Sequence, residues 1–255
     1  MQLFTSKTCH SVSYKNLDSN PKRWYHLLRK RGLMRTMDSD AYLLEQLEHW
    51  GYTPEERPRH AYLAYCGLDQ PYTYVLAHGV VKTSIILKNG KEFNIAYLKG
   101  PSLISLLRDE VSTFTSAPFN IRVESEKAVF YKVPRVELWQ NLNKDPILQQ
   151  YVKEYYRQRW NESIQNQQLM AMNTKRGVIC GFLLNLARQF GRPVNGGILI
   201  DFVVPYEDIA GFCGISTRNS VNRLISQLRE DGLLELQDHH ILIPSLERLR
   251  EQIAE

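Results

Sequence analysis

Between residues 216 and 229 the chain carries Arg218, Arg223 and Arg229 and no acidic residue. Apolar spacing there predicts a helix from about Thr217 to Glu230, with Ser216 as its N-cap and Val221, Leu224, Ile225 and Leu228 as one buried stripe. The opposite side then presents Thr217, Arg218, Asn219, Asn222, Arg223 and Gln227. An arginine can donate two hydrogen bonds to the edge of guanine, and an asparagine amide can pair with adenine, so this face has the chemistry to read base pairs in a major groove. Ser216 and Thr217 stand at the helix start, where free backbone N–H groups and the helix dipole attract phosphate. Arginine and asparagine also line ordinary solvated helices, so the face acquires meaning only from the elements that hold it.

Those elements are legible on both sides. Pro205 opens a short helix with Ile209, Ala210 and Phe212 on one side, and Gly214 supplies the sharp bend that lets a second helix cross the first, a helix-turn-helix. Gly232 ends the second helix. Leu233–Leu236, the polar tip Gln237-Asp238-His239-His240 and Ile241–Ile243 then read as a hairpin, hence a wing. Two adjacent histidines at such a tip are turn residues far more often than metal ligands. Upstream, Val178, Ile179, Phe182, Leu183, Leu186 and Phe190 form an apolar helix ended by Gly191 and Pro193, and Ile198–Val203 is strand-like.

From Tyr62 to Val133 the period is two. Val81, Thr83, Ile85 and Leu87 alternate with Val80, Lys82, Ser84 and Ile86. Asn89-Gly90 predicts a two-residue hairpin turn, after which Phe93, Ile95 and Tyr97 are expected on one face. Tyr72–Leu76, Ile121–Val123 and Ala128–Val133 add short strands, as in a sandwich or jelly-roll barrel. Pro134 ends the strands, and 136–172 reads as one long helix striped by Leu148, Tyr151, Val152, Tyr155, Tyr156, Trp160 and Ile164. The stripe either packs on its own barrel or pairs with the same helix of a second copy. The length, 1.5 Å per residue, favours pairing, because one barrel face is too short to cover it.

Residues 1–36 hold eight lysines and arginines against Asp18 alone, so the net charge of +5 leaves the rest of the chain slightly acidic and global basicity says nothing about nucleic acid. This basic extension is a DNA-touching arm, a solvated tail, or a stretch preceding a natural start at Met34 or Met37, before a helix carrying Tyr42, Leu43, Leu44, Leu47 and Trp50 and stopped by Gly51. Cys9, Cys66, Cys180 and Cys213 lie far apart with no paired spacing and read as reduced, buried thiols. No stretch is apolar enough for a membrane span or a signal peptide, which points to the cytoplasm. No Ser-His-Asp order, metal spacing or glycine-rich phosphate loop stands out, so an enzyme is disfavoured. The competing class is a ligand-binding or protein-interaction module whose winged domain does not read DNA.

The segment EDIAGFCGISTRNSVNRLISQLREDGLL resembles the helix-turn-helix signature of the Crp/Fnr family of bacterial regulators, with a glycine turn followed by Val-x-Arg. GVICGFLLNLARQFG, GISTRNSVNR and RLISQL resemble its PrfA-like subgroup, and KNGKEFNIAYLKG and RVESEKAVFYKV extend the likeness more weakly into the barrel. The resemblance implies an α+β chain: a basic extension over 1–36, a double-stranded β-helix or jelly-roll barrel of the cyclic-nucleotide-binding type over 37–134, a dimerisation helix over 135–173 and a winged helix-turn-helix over 174–255. It implies a homodimer on an inverted-repeat promoter site, with RNA polymerase as partner where the regulator activates. Arg223 matches the family's base-reading arginine, Arg218 and Asn219 its other base-contacting positions, and Ser216 and Thr217 positions that touch bases or phosphates. GPSLISLLRDEVSTFTSAPFN lacks the Gly-Glu that cradles a cyclic phosphate and sets Arg108 in the wrong context, which speaks against cyclic AMP. Cys9 alone at the N-terminus cannot ligate an iron–sulfur cluster. By the same resemblance a glutathione-like effector is expected near Tyr62, Tyr65, Tyr151, Tyr155 and Tyr156, although aromatic core packing explains these tyrosines equally well.

Overall fold

The structure, a computed structural model, describes residues 34–107 and 116–253. The basic segment up to residue 33, Cys9 and Arg108 lie outside the described residues. α1 (Met34–His49) buries Leu43 and Leu47 completely against the barrel beside Val75, Leu103 and Tyr131. The barrel follows as β1 (Glu55–Pro58), β2 (Tyr62–Ala64), β3 (Tyr72–His78), β4 (Val80–Ile86), β5 (Glu92–Lys99), β6 (Ser102–Leu103), β7 (Asn120–Val123) and β8 (Lys127–Pro134). Two antiparallel four-stranded sheets, ordered β1-β8-β3-β6 and β2-β7-β4-β5, enclose Leu76, Val81, Leu98, Ile121, Val123 and Phe130. Burial of these side chains, each worth about 1.5–3 kcal/mol, holds the jelly roll together.

Two local expectations fail here. The β4–β5 turn is a three-residue loop, Lys88–Gly90, because Leu87 N donates to Lys91 O at 2.8 Å and Gly90 N to Leu87 O at 2.9 Å. Of the loop residues only Gly90 has positive φ, so Asn-Gly serves a longer loop rather than the tighter one, in which both central residues are left-handed. Phe93, Ile95 and Tyr97 do not share a face either. Thr83 pairs with Ala96 but Ser84 with Asn94, so Ile95 is the extra residue of a bulge and the alternation slips by one. Glu92, Asn94 and Tyr97 consequently line up with Lys82 and Ser84, while Phe93 and Ile95 are exposed.

The expected single helix is two. α2 (Arg135–Lys144) packs Leu138, Trp139 and Leu142 on the barrel, and α3 runs from Pro146 to Met172. Proline lacks an N–H and forces the preceding residue out of the helical region. Asp145 is accordingly extended, and its carboxylate accepts from Ile147 N at 2.7 Å and Leu148 N at 3.2 Å, starting α3 afresh. The first half of α3 seats Leu148 and Tyr151 among α1, α2 and the barrel, whereas Tyr156, Trp160 and Ile164 are exposed.

The winged domain comprises α4 (Lys175–Phe190), β9 (Gly191–Val194), β10 (Gly197–Ile200), α5 (Tyr206–Cys213), α6 (Arg218–Glu230), β11 (Glu235–Gln237), β12 (His240–Ile243) and α7 (Leu246–Arg250). Its strands form one sheet ordered β11-β12-β10-β9, and strand β10 ends at Ile200 rather than at Val203. The core around Ile179, Leu183, Ile209, Val221, Ile225 and Leu228 also takes in Val80 and Tyr97 from the barrel. Cys180 and Cys213 are buried there, and burial pushes their thiols up to about 11 and about 12. Cys66 is exposed, contrary to the expectation of buried thiols, because it leaves β2 at the surface.

Candidate nucleic-acid interface

Acids in the first turn of α5, Glu207 and Asp208, suit its positive end, and Gly214 closes it in the left-handed region at φ 58°. A side chain at Gly214 would be strained there, and its Cβ would sit 2.9 Å from the Met170 terminal methyl. The bend carries the chain into α6, whose N-cap is Thr217 rather than Ser216. Thr217 is extended, its Oγ1 accepts from Ser220 N at 3.2 Å and lies 2.9 Å from Ser220 Oγ, and Ser216 stands one residue outside, exposed. Val221, Ile225 and Leu228 are at most 1% exposed, with Leu224 half-buried beside them. A helix seated this firmly can turn only with its whole domain.

Thr217, Arg218, Asn219, Asn222, Arg223 and Gln227 are all exposed, so the structure brings together on one surface the side chains picked out for base and phosphate contact. Arg218 Nη1 lies 3.2 Å from Glu207 Oε1, an acid one helix earlier that the sequence pattern did not single out. At the opposite end of α6, Arg176 pairs with Asp231 at 2.7 Å and Arg248 Nη2 donates to Asp231 O at 3.2 Å, beside an open cleft of about 240 Å³. The wing turns through Asp238 and His239, both with positive φ, and His240 Nδ1 lies 2.9 Å from Asp238 O. Among the described residues no group of three or more histidines, cysteines and acids is placed to hold a metal ion.

The tyrosines expected near an effector form two pairs. Tyr62 and Tyr65 stack with ring centroids 4.7 Å apart on the barrel, Tyr65 half exposed. Tyr151 and Tyr155 lie 6.5 Å apart on α3; Tyr151 donates to Asp40 Oδ1 at 2.7 Å and Tyr155 to Ile104 O at 3.4 Å. Tyr156, next along α3, donates to Leu106 O at 2.8 Å. A small space in the barrel is lined by Tyr72, Tyr74, Ile104 and Phe119 and by none of these five tyrosines.

A second polar constellation went unread. Lys82 and Ser84, which alternate with Val81 and Thr83 along β4, are fully buried, because α5 covers their side of the strand and sets Asp208 against Lys82. The signal was a lone aspartate among Ile209, Ala210 and Cys213 on the buried side of a short helix, matched by a lone lysine inside an apolar strand.

A profile of the Crp-like helix-turn-helix domain matches residues 179–252. The chain is 52% identical over 213 residues, 84% of this chain and 96% of the relative, to the lactate racemization regulatory protein of Lactiplantibacillus plantarum. It is 28% identical to the listeriolysin regulatory protein of Listeria monocytogenes, over 71% of this chain and 76% of that protein. The structure superposes on FixK2 from Bradyrhizobium japonicum with a TM-score of 0.67 at 19% identity, covering 80% of this chain and 98% of that one, which extends the likeness to the whole two-domain fold. The chain therefore belongs to the Crp/Fnr family of DNA-binding transcription regulators.

Proposed function

We propose that the protein binds an inverted-repeat promoter site as a homodimer, each α6 entering a major groove, with Arg223, Arg218, Asn219 and Asn222 reading base edges and Ser216 and Thr217 on phosphate. The observation that carries this reading is the division of α6 into a seated face of Val221, Ile225 and Leu228 and an exposed arginine–asparagine face. Arg223, in the second turn of α6, is exposed for two-point contact with guanine. The two copies join along α3, where Tyr156, Trp160 and Ile164 recur every four residues on the exposed side. α3 is about 40 Å long at 1.5 Å per residue, enough for a paired seam beyond the barrel.

The chain acts as a regulator rather than an enzyme, works in the cytoplasm where its DNA lies, and contacts RNA polymerase when it activates. A small effector of the glutathione type acts at Tyr62 and Tyr65 of the barrel and Tyr151 and Tyr155 of α3, shifting the balance of conformations only as far as its affinity differs between them. The missing Gly-Glu before Arg108 and the lack of an N-terminal cysteine cluster speak against cyclic AMP and an iron–sulfur cluster as its ligands. The name of the Lactiplantibacillus relative makes lactate-racemisation genes the first targets to test. Selecting bound fragments from the host genome, then repeating the titration from 50 to 200 mM salt, tests the reading: a shared palindrome bound with a steep salt dependence supports it, and recovery of no common sequence refutes it.

A further inference from the structure

Lys82 is fully buried, and its ammonium is held by two carboxylates from different domains. Nζ lies 2.9 Å from Glu92 Oε2 on the adjacent strand and 2.7 Å from Asp208 Oδ1 on α5. The Tyr97 hydroxyl donates to the other carboxylate oxygen, Asp208 Oδ2, at 2.5 Å, and Asn94 Nδ2 donates to the Asp208 main-chain oxygen at 3.1 Å. Ser84 Oγ steadies Glu92 by donating to its Oε1 at 2.6 Å. Burial, with the Asp208 charge second, raises the Tyr97 pKa, so the phenol remains a donor. Gly211, one turn beyond Asp208, permits this approach, since a Cβ there would lie 2.5 Å from Asn94 Nδ2 and 2.9 Å from Glu92 O.

An ammonium withdrawn from water costs several kcal/mol, and apolar residues of the same size would join two domains at least as firmly. What an ionic contact adds is a single allowed position, because sliding by an ångström or two leaves buried charge unpaired. That matters at this joint. α3 and α4 are linked only by Asn173 and Thr174, both extended, so helical continuity does not fix how the winged domain sits on the barrel. Two reading helices must nevertheless stand about one DNA turn, roughly 34 Å, apart. Within the chain the contact leaves the reading face uncovered, because Asn219, Asn222 and Arg223 are exposed while Asp208 is engaged.

We propose that Lys82, Tyr97 and Asn94 of the barrel are positioning residues for DNA reading, which by clamping Asp208 hold α5, and α6 with it, at the angle that a two-fold site requires. The clamp favours the competent arrangement before DNA arrives, so ordering is not charged against binding. The proposal rests on the DNA-reading function given above.

The test uses the full chain and two duplexes, the inverted repeat that the wild-type protein selects from a randomised library and a scrambled duplex of equal length. Asp208→Asn keeps the shape of the side chain but removes its charge, and Tyr97→Phe removes one hydrogen bond and no charge, so one of the two serves if the other fails to fold. With folding checked by circular dichroism and dimerisation by sedimentation, the variants are expected to lose about tenfold in the ratio of specific to scrambled affinity, within the usual range of couplings between sites. Binding to the scrambled duplex stays within about twofold, since phosphate attraction needs no fixed angle. A lowered melting temperature with an unchanged ratio marks a merely structural contact and overturns the proposal, as does tighter specific binding, the mark of an inhibitory latch. A wild-type chain that selects no sequence overturns the DNA reading and the clamp together, and it is recognised before any variant is made.

Discussion

Arg223 stands on the outward side of α6, one residue along from exposed Asn222 and two from fully buried Val221, so its side chain is free to meet a base while its helix is not free to turn. Arg223→Ala is expected to weaken binding to the selected site by about 1–3 kcal/mol, roughly 5-fold to 150-fold, and to leave the dimer folded; gel-shift titration beside sedimentation checks both. Glu207 holds Arg218 at 3.2 Å, but both side chains are well over half exposed, so the pair contributes little stability. In the proposed complex its effect falls on DNA instead, because a carboxylate beside Arg218 repels phosphate. Glu207→Gln should tighten binding to specific and scrambled DNA alike by a few-fold, with no change in melting temperature, and equal affinity in low-salt titrations would count against it. At this scale the sequence was readable where the periodicity separates faces, which is why Arg218, Asn219, Asn222 and Arg223 emerge where expected. It was not readable where two neighbours can do one job: Ser216 and Thr217 both cap helices, and only the extended backbone at Thr217 decides between them.

Among the elements, α3 carries the sharpest expectation. Trp160 is 69% exposed, between Tyr156 and Ile164 on the same side, and a charge placed in a paired seam there has no partner. Trp160→Glu should therefore convert the protein to monomer in sedimentation equilibrium and abolish palindrome binding with the barrel still folded. Where α3 meets α1, burial pushes the Asp40 carboxyl up to about 6, against the opposing pull of the Tyr151 hydrogen bond and the Arg159 charge. A carboxyl whose folded value is raised favours the folded state while protonated, so its contribution falls as pH rises from about 4 through about 6. Asp40→Asn should accordingly stabilise the fold at pH 7.5 by an amount on the order of 1 kcal/mol after allowing for screening, read as a higher melting temperature, and leave it unchanged near pH 4. The strands and helices were mostly visible in advance, but the break at Asp145 was not, because the apolar stripe read from Leu148 onward begins beyond Pro146, and a proline that ends one helix equally suits the first turn of the next. The bulge at Ile95 was hidden for a related reason: a period-two pattern with one residue inserted still looks like alternation on either side of the slip.

For the molecule as a whole, the α+β organisation followed from the order of the signals, period-two strands first, a long helical stripe next, and the Gly214 turn last. The covering of one barrel face by the winged domain did not follow, because no local pattern says that Lys82 meets Asp208, 126 residues further along the chain. Residues 1–36 hold the chain's net positive excess, eight lysines and arginines against one aspartate, yet stand before Leu43 and Leu47, the first buried side chains among the described residues of α1. A chain beginning at Met37 is expected to bind the selected palindrome with unchanged affinity; a drop of more than about tenfold, with a shallower salt slope, would instead assign the extension to phosphate contact.

The buried lysine also limits how freely this protein can be recombined. Joining residues 1–173 to the DNA-reading half of another regulator is attractive as a way to rewire promoters, and it succeeds only where the graft brings a carboxylate to the place of Asp208. A donor with an apolar residue there would leave the buried ammonium to Glu92 alone, and the hybrid would do better with Lys82→Met built into the recipient half than with any adjustment of the linker.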